Sequence, residues 1–291
     1  MRAVITFLLC VSALGGFGQN KSYDYCYLKG SNVVVYSAAD KKATPVLNSR
    51  YASDACISPD GKTVAYTAIS ANGDRNIGLI NLNTRKKSLL NTGSKNCYGP
   101  VWSPDGKKIA YNVFNDQTSN WAIAVIDVEN GAPSVITAQL TQCFMPTWLA
   151  NSQNIAVQDM SAVYVFDLSG TLLGTYDISA MMKGLGPTSS DRFIFTNNYT
   201  RIVFSAEVDE PSVDNEGDPP SAVFAYDISS KKTTRLTPKG YSADDIWVKG
   251  NTVYCTAYSA KSGMFAVYTV GLDGKNLRIL FPVASNFSAK N

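Results

Sequence analysis

The chain has 291 residues, and its 26 Lys and Arg against 23 Asp and Glu give a formal net charge of only +3. That balance gives no reason to expect a nucleic acid partner, because phosphate binding needs a concentrated basic face. The absence of histidine excludes Ser-His-Asp and Cys-His catalysis and every metal site built on imidazole. Sixteen Tyr and 12 Phe, together with abundant Val and Thr and no long helical periodicity, point to an all-β chain.

Residues 1–18 open with Arg2, continue through an apolar run from Ala3 to Phe17, and carry small residues at Gly15, Gly16 and Gly18. These are the proportions of a secretory signal peptide, too short to span a bilayer as a helix. Cys10 would suit a lipid anchor, but Leu9 stands before it where a small residue is expected. Residues 19–291 form the mature chain in this reading, with no later apolar run of the ~18 residues a membrane helix needs. The expected location is periplasmic or secreted, with no transmembrane anchor.

Two segments, "CISPDGKTVAYTA" at 56–68 and "VWSPDGKKIAYNV" at 101–113, write the same turn and the same strand behind it. In Ser58-Pro59-Asp60-Gly61 and Ser103-Pro104-Asp105-Gly106, Pro presets φ, Ser and Asp can bond nearby amides, and Gly closes the turn. The spacing differs from the S-x-D-x-G-x-T-W box of sialidases, since Gly directly follows Asp. Turn chemistry, not catalysis, is the expected role.

The repeat continues along the chain. A strand ending in Asp or Asn recurs as "GLINLN" at Asn81, "AVIDVE" at Asp127, "YVFDLS" at Asp167 and "FAYDIS" at Asp227, with degenerate copies at Ser37 and Gly271. These markers lie roughly 40 to 46 residues apart except for one interval of about 60, which is the period of a four-stranded propeller blade. Trp102, Ile57, Trp148, Phe195 and Trp247 are a second landmark running in step. The reading is a six-bladed β-propeller of four-stranded antiparallel blades over 23–49, 50–93, 94–140, 141–186, 187–238 and 239–284. The first unit offers only three strands. Either the tail "VASNFSAKN" supplies the missing one, or the first blade is three-stranded with a free tail.

The run Trp102 to Tyr111 matches "WSPDG(K/R)xIAY", and Ser58 to Tyr66 match it with Ile57 in place of Trp. On these residues the repeats resemble those of TolB-like β-propellers. The resemblance covers the repeat region and does not include the N-terminal α/β domain of TolB. It implies a role in envelope protein assemblies, and with the loop-face residues below the expected partner is an envelope protein, peptide or glycan.

Loops displayed by a rigid scaffold are where binding usually resides. The variable loops, at 70–76, 115–120, 178–191 and 206–220, fall on the face opposite the "SPDG" turns. Asp54, Tyr98, Phe144, Asp191, Asp244 and Asp245 precede or open the inner strands and are expected to ring the channel mouth, where they would suit a peptide or a polyhydroxylated ligand. Solvated loop residues filling the entrance are the alternative. In the 206–220 loop, Asp214, Glu216 and Asp218 alternate like oxygen ligands of calcium, with Gly217 for a sharp turn, although the order is not that of an EF-hand. A solvated acidic insertion with no cofactor is the default.

A noncatalytic binding propeller is therefore the first reading. The alternatives are a carboxylate- or calcium-dependent lactonase or glycan-processing enzyme working in the axial pocket, and a sensor or lid whose catalytic partner is another chain. Removal of the signal leaves Cys26, Cys56, Cys97, Cys143 and Cys255. A Cys97–Cys143 bridge, a Cys26–Cys255 bridge and buried apolar thiols all stay open.

Overall fold

The structure, a computed structural model, describes residues 21–29, 32–129, 131–213, 217–282 and 285–289. The signal segment 1–18 lies outside them, as do Asp214 and Glu216. Strands dominate, joined by one short helix, Ile178–Met182, and a 3-10 turn at Ser49–Tyr51. They form six four-stranded antiparallel sheets arranged as propeller blades.

Five blades run outward in chain order from innermost strands Ala52–Ile57, Cys97–Trp102, Phe144–Trp148, Ile194–Phe195 and Tyr241–Lys249. The first blade is built from both ends of the chain. Its innermost strand is Ser285–Ala289, paired antiparallel with Tyr25–Lys29. The tail therefore supplies the missing strand, and that strand is the inner edge of the blade.

The two "SPDG" turns share one hydrogen-bond network. Ser58 Oγ donates to Asp60 Oδ1 at 2.6 Å and accepts from Thr63 N at 3.0 Å, while Lys62 N donates to Asp60 Oδ1 at 3.0 Å. The Ser103 turn repeats these contacts at 2.6, 2.9 and 3.1 Å. The fourth residue sits at positive φ, +70° at Gly61 and +72° at Gly106. The degenerate copies keep this geometry with other residues, since Ser152 (φ +56°) and Tyr199 (φ +57°) occupy the glycine position. Asn151 and Asn198 take the place of Asp as side-chain acceptors.

The strand-end markers are Asx turns. Asn81 Oδ1 accepts from Asn83 N and Thr84 N, Asp167 Oδ1 from Ser169 N and Thr171 N, and Asp227 Oδ1 from Ser230 N. The side chain reverses the chain by satisfying the next backbone amides, which is why Asp or Asn recurs there.

Six apolar clusters fill the six junctions between neighbouring blades. Alternation decides which side a residue serves. In the strand Thr63–Ile69, Val64 and Tyr66 pack toward the first blade and Ala65 toward the third. Both faces of the middle strands are thus buried, and each fully buried aliphatic side chain contributes about 1.5–3 kcal/mol. The closure junction relies on aromatic rings. Phe281 lies 4.9 Å from Tyr27, 5.6 Å from Tyr36 and 5.7 Å from Tyr25.

Trp102 and Trp148 occupy equivalent places and tie neighbouring inner strands together. Trp102 Nε1 donates to Cys56 O at 3.1 Å, and Trp148 Nε1 to Val101 O at 3.0 Å. Trp247 does not belong to this series. Its partner across the hairpin is Tyr254, and Val248 pairs with Val253, so Val248 holds the place that Trp102 holds opposite Ile109. A one-residue offset reverses the face a side chain presents.

The five cysteines among the described residues are buried free thiols, so neither bridge forms. Burial pushes Cys143 up to about 11 and Cys255 up to about 12, leaving both as inert apolar groups.

Candidate functional site

Four inner strands carry a bulge at the same point, between Ser53 and Cys56, Tyr98 and Val101, Phe144 and Thr147, and Asp244 and Trp247. The bulged residues are left-handed, with φ +49° at Asp54, +65° at Gly99, +49° at Met145 and +46° at Asp245. That conformation costs a non-glycine residue on the order of 1 kcal/mol or more, and bulges of this kind re-aim side chains next to sites.

A ring of buried polar side chains holds the bulges. Gly99 N donates to Thr67 Oγ1 at 3.0 Å, and the Thr67 hydroxyl donates to Asp54 Oδ2 at 2.7 Å. Met145 N donates to Asn112 Oδ1 at 3.0 Å, and Thr256 Oγ1 reaches Asp245 Oδ2 at 3.2 Å. Gln158 Nε2 donates to the carbonyls of Thr188 and Asp191 at 2.9 and 3.3 Å, fastening the approach to the fifth blade. Sequence reasoning missed these residues, although they left a signal. Each polar residue follows three apolar ones in a second strand, as in "VAYT", "IAYN", "IAVQ", "IVFS" and "VYCT". All five of these polar residues, Ser205 included, are buried.

The inner strands enclose an axial cavity of about 280 Å³. Asp54, Arg192 and Asp245 line one end; Trp102, Trp148, Phe195 and Trp247 contribute to its wall; Ala150, Asn197 and Lys249 stand at the other end. These last three are exposed and belong to the turn-bearing side. The cavity therefore reaches the face opposite the variable loops. Of the six anticipated mouth residues, only Asp54 and Asp245 line it.

Tyr98, Asp191 and Asp244 stand on the loop side, whereas Phe144 is buried in its strand. Tyr98 meets Trp121 edge-on at 4.9 Å, and Phe114 meets Trp121 at 5.1 Å. Arg75 lies over both rings, 4.8 Å from Tyr98 and 5.4 Å from Trp121, with Nε donating to Asn96 at 2.9 Å. The fifth and sixth blades present carboxylates instead. Asp244 is solvent-exposed yet closely surrounded by protein groups; the hydration this displaces, with the charges of Asp245, Asp191 and Glu207, pushes it up to about 6 against a hydrogen bond from Ser221. Burial and Glu207 also raise Asp191, against hydrogen bonds from Thr188.

The acidic loop is only partly acidic in effect. Glu210 is clamped by Arg235 at 2.6 Å and approached by Lys239 at 3.4 Å, which hold its carboxyl below the usual range. Asp218 is exposed. No group of three or more Cys, Asp or Glu suited to a metal occurs among the described residues.

No family profile matches the chain. A segment of 78 residues, 26% of this chain, is 35% identical to the Tol-Pal system protein TolB of Hahella chejuensis and spans 18% of that protein. The crystal structure of TolB from Acinetobacter baumannii superposes with a TM-score of 0.63 at 15% identity, covering 93% of this chain and 67% of that one. A putative TolB from Agrobacterium tumefaciens gives the same TM-score at 16% identity, covering 91% of each chain. The chain has the six-bladed β-propeller fold of these TolB structures. Propeller-bearing enzymes also superpose on this TolB-like propeller, so the fold alone does not choose between binding and catalysis.

Proposed function

We propose that this TolB-like propeller is an exported, noncatalytic binding protein that holds an envelope protein, peptide or glycan on its loop-rich face, in the periplasm or outside the cell. One observation carries the reading: the half-buried Arg75, Tyr98, Phe114 and Trp121 cluster stands on the same face as the carboxylates of Asp191, Asp244 and Asp245. Aromatic rings give contact area at little conformational cost, and the carboxylates add orientation. The leader-like segment and the TolB resemblance support export, and no helix among the described residues is long and apolar enough to cross a membrane. Calcium is not required in this reading.

A carboxylate-dependent enzyme is the second reading, favoured by Asp244, whose pKa of about 6 beside Asp245 is that of a usable acid or base. Capture from envelope extract separates the two. The mature protein should retain a partner that the Tyr98→Ala/Trp121→Ala double variant loses and EDTA leaves bound. Retention by the variant refutes the loop-face reading, and turnover of a lactone or glycan that Asp244→Asn abolishes would establish the second.

A further inference from the structure

The polar end of the axial cavity, which shares only Asp245 with the loop-face reading, presents an arrangement that fits one class of small ligand. Arg192 stands three residues before Phe195, as Asp54 stands before Ile57 and Asp245 before Val248, so the three share one layer of the ring. All three line the cavity. A Cβ added to Gly99 would lie 3.9 Å from Arg192 Nη2, which places the guanidinium over the one bulge position with no side chain. Asp54 is oriented by hydroxyls, accepting from Thr67 at 2.7 Å and Ser53 at 3.0 Å, and Asp245 meets Thr256 at 3.2 Å.

Arg192 is the odd member. It is partly buried, and among the described residues its guanidinium makes no hydrogen bond and no ion pair within 4.0 Å. A partly desolvated guanidinium presented to a cavity favours a carboxylate, which can accept two of its N–H bonds in parallel. Beyond this layer the wall becomes apolar, with Trp102, Trp148, Trp247 and Phe195. A cavity of about 280 Å³ falls at the small end for ligand sites and suits an apolar body with a compact charged head.

We propose that the axial cavity is a binding site for a free α-amino acid with an aromatic or branched apolar side chain. Its carboxylate sits on Arg192, its ammonium on Asp54 and Asp245, and its side chain against the tryptophans. The site opens on the turn-bearing face, at Ala150, Asn197 and Lys249.

Calorimetric titration of the mature protein tests this with L-phenylalanine, 3-phenylpropionate, which lacks the ammonium, and phenethylamine, which lacks the carboxylate. L-Phenylalanine should bind at least tenfold more tightly than either analogue. Arg192→Gln should weaken L-phenylalanine at least tenfold while leaving phenethylamine unchanged, and Asp54→Asn should weaken L-phenylalanine and phenethylamine but not 3-phenylpropionate. Arg192→Lys, which keeps the charge and loses the fork, should fall between, and far-UV circular dichroism verifies that each variant is folded. Absence of saturable binding of L-phenylalanine, L-tryptophan and L-leucine up to about 10 mM overturns the proposal. So does equal affinity for the three probes, or L-phenylalanine binding that folded Arg192→Gln leaves intact.

Discussion

Replacing Trp102 by Phe probes the link that joins neighbouring inner strands. Trp102 is 5% exposed, and its Nε1 donates to Cys56 O at 3.1 Å. Loss of the donor leaves a buried carbonyl short of a partner, worth about 1–2 kcal/mol. The smaller ring leaves roughly 40 Å³ unfilled, adding about 1 kcal/mol. Phe195 shows that a phenyl ring is accepted at the equivalent position, so the backbone should stand and the total should be about 2–3 kcal/mol. Because Trp148 bonds to Val101 O, one residue from Trp102, the Trp102→Phe/Trp148→Phe pair should be non-additive by about 0.5 kcal/mol or more. Urea unfolding followed by far-UV circular dichroism measures each midpoint and slope. Trp121→Phe, at the mouth and away from this ladder, is the control and should cost less than about 1 kcal/mol. Equal losses for Trp102→Phe and Trp121→Phe, or strict additivity of the pair, would show that the indole ladder does not couple the inner strands.

Gly61→Ala and Gly106→Ala should differ although the turns read alike. Both sites have positive φ, worth about 1 kcal/mol, but an added Cβ at Gly61 would clash with the Tyr23 backbone carbonyl, whereas at Gly106 the nearest atom is Pro59 Cδ at 3.6 Å, so thermal melts should show Gly61→Ala as clearly the worse. Phe281→Ala should loosen the closure junction by about 2 kcal/mol, read as early hydrogen exchange in Tyr25–Lys29 ahead of the other blades. The raised carboxyl of Asp244 contributes stability that is complete below pH ~4 and lost as pH rises through about 6. Asp244→Asn should therefore melt higher than the parent at pH 7.5 and coincide with it at pH 4; a constant difference across that range would show that Asp244 titrates normally.

The propeller was legible because its period is written in turn chemistry. Asp127, Asp167 and Asp227 mark strand ends by bonding the amides that follow, and such local needs survive in a single sequence. Trp247 misled because the turn after its strand is two residues shorter than the turn after Trp102, which sets Val248 rather than Trp247 in the equivalent place, although both strands share the same bulge. The same bulges account for the uneven outcome at the site. Asp54 and Asp245 reach the axis because their backbone turns left-handed, whereas Phe144, one residue before the equivalent Met145, is buried. Thr67, Asn112 and Gln158 escaped notice because they act on the next blade, 30 to 33 residues along the chain, Thr256 because it meets Asp245 across a bulge of its own blade, and Arg192 because the Gly99 it faces lies two blades away.

Everything proposed for function depends on the loop-rich face holding the partner. Hydrogen–deuterium exchange on the complex captured from envelope extract tests it most directly. Exchange should slow at 70–76, 115–120 and 178–191 and in the strand openings at Tyr98 and Asp244, with the turns at Ser58–Gly61 and Ser103–Gly106 unchanged. Protection confined to those turns, with the loops exchanging as in the free protein, would contradict it.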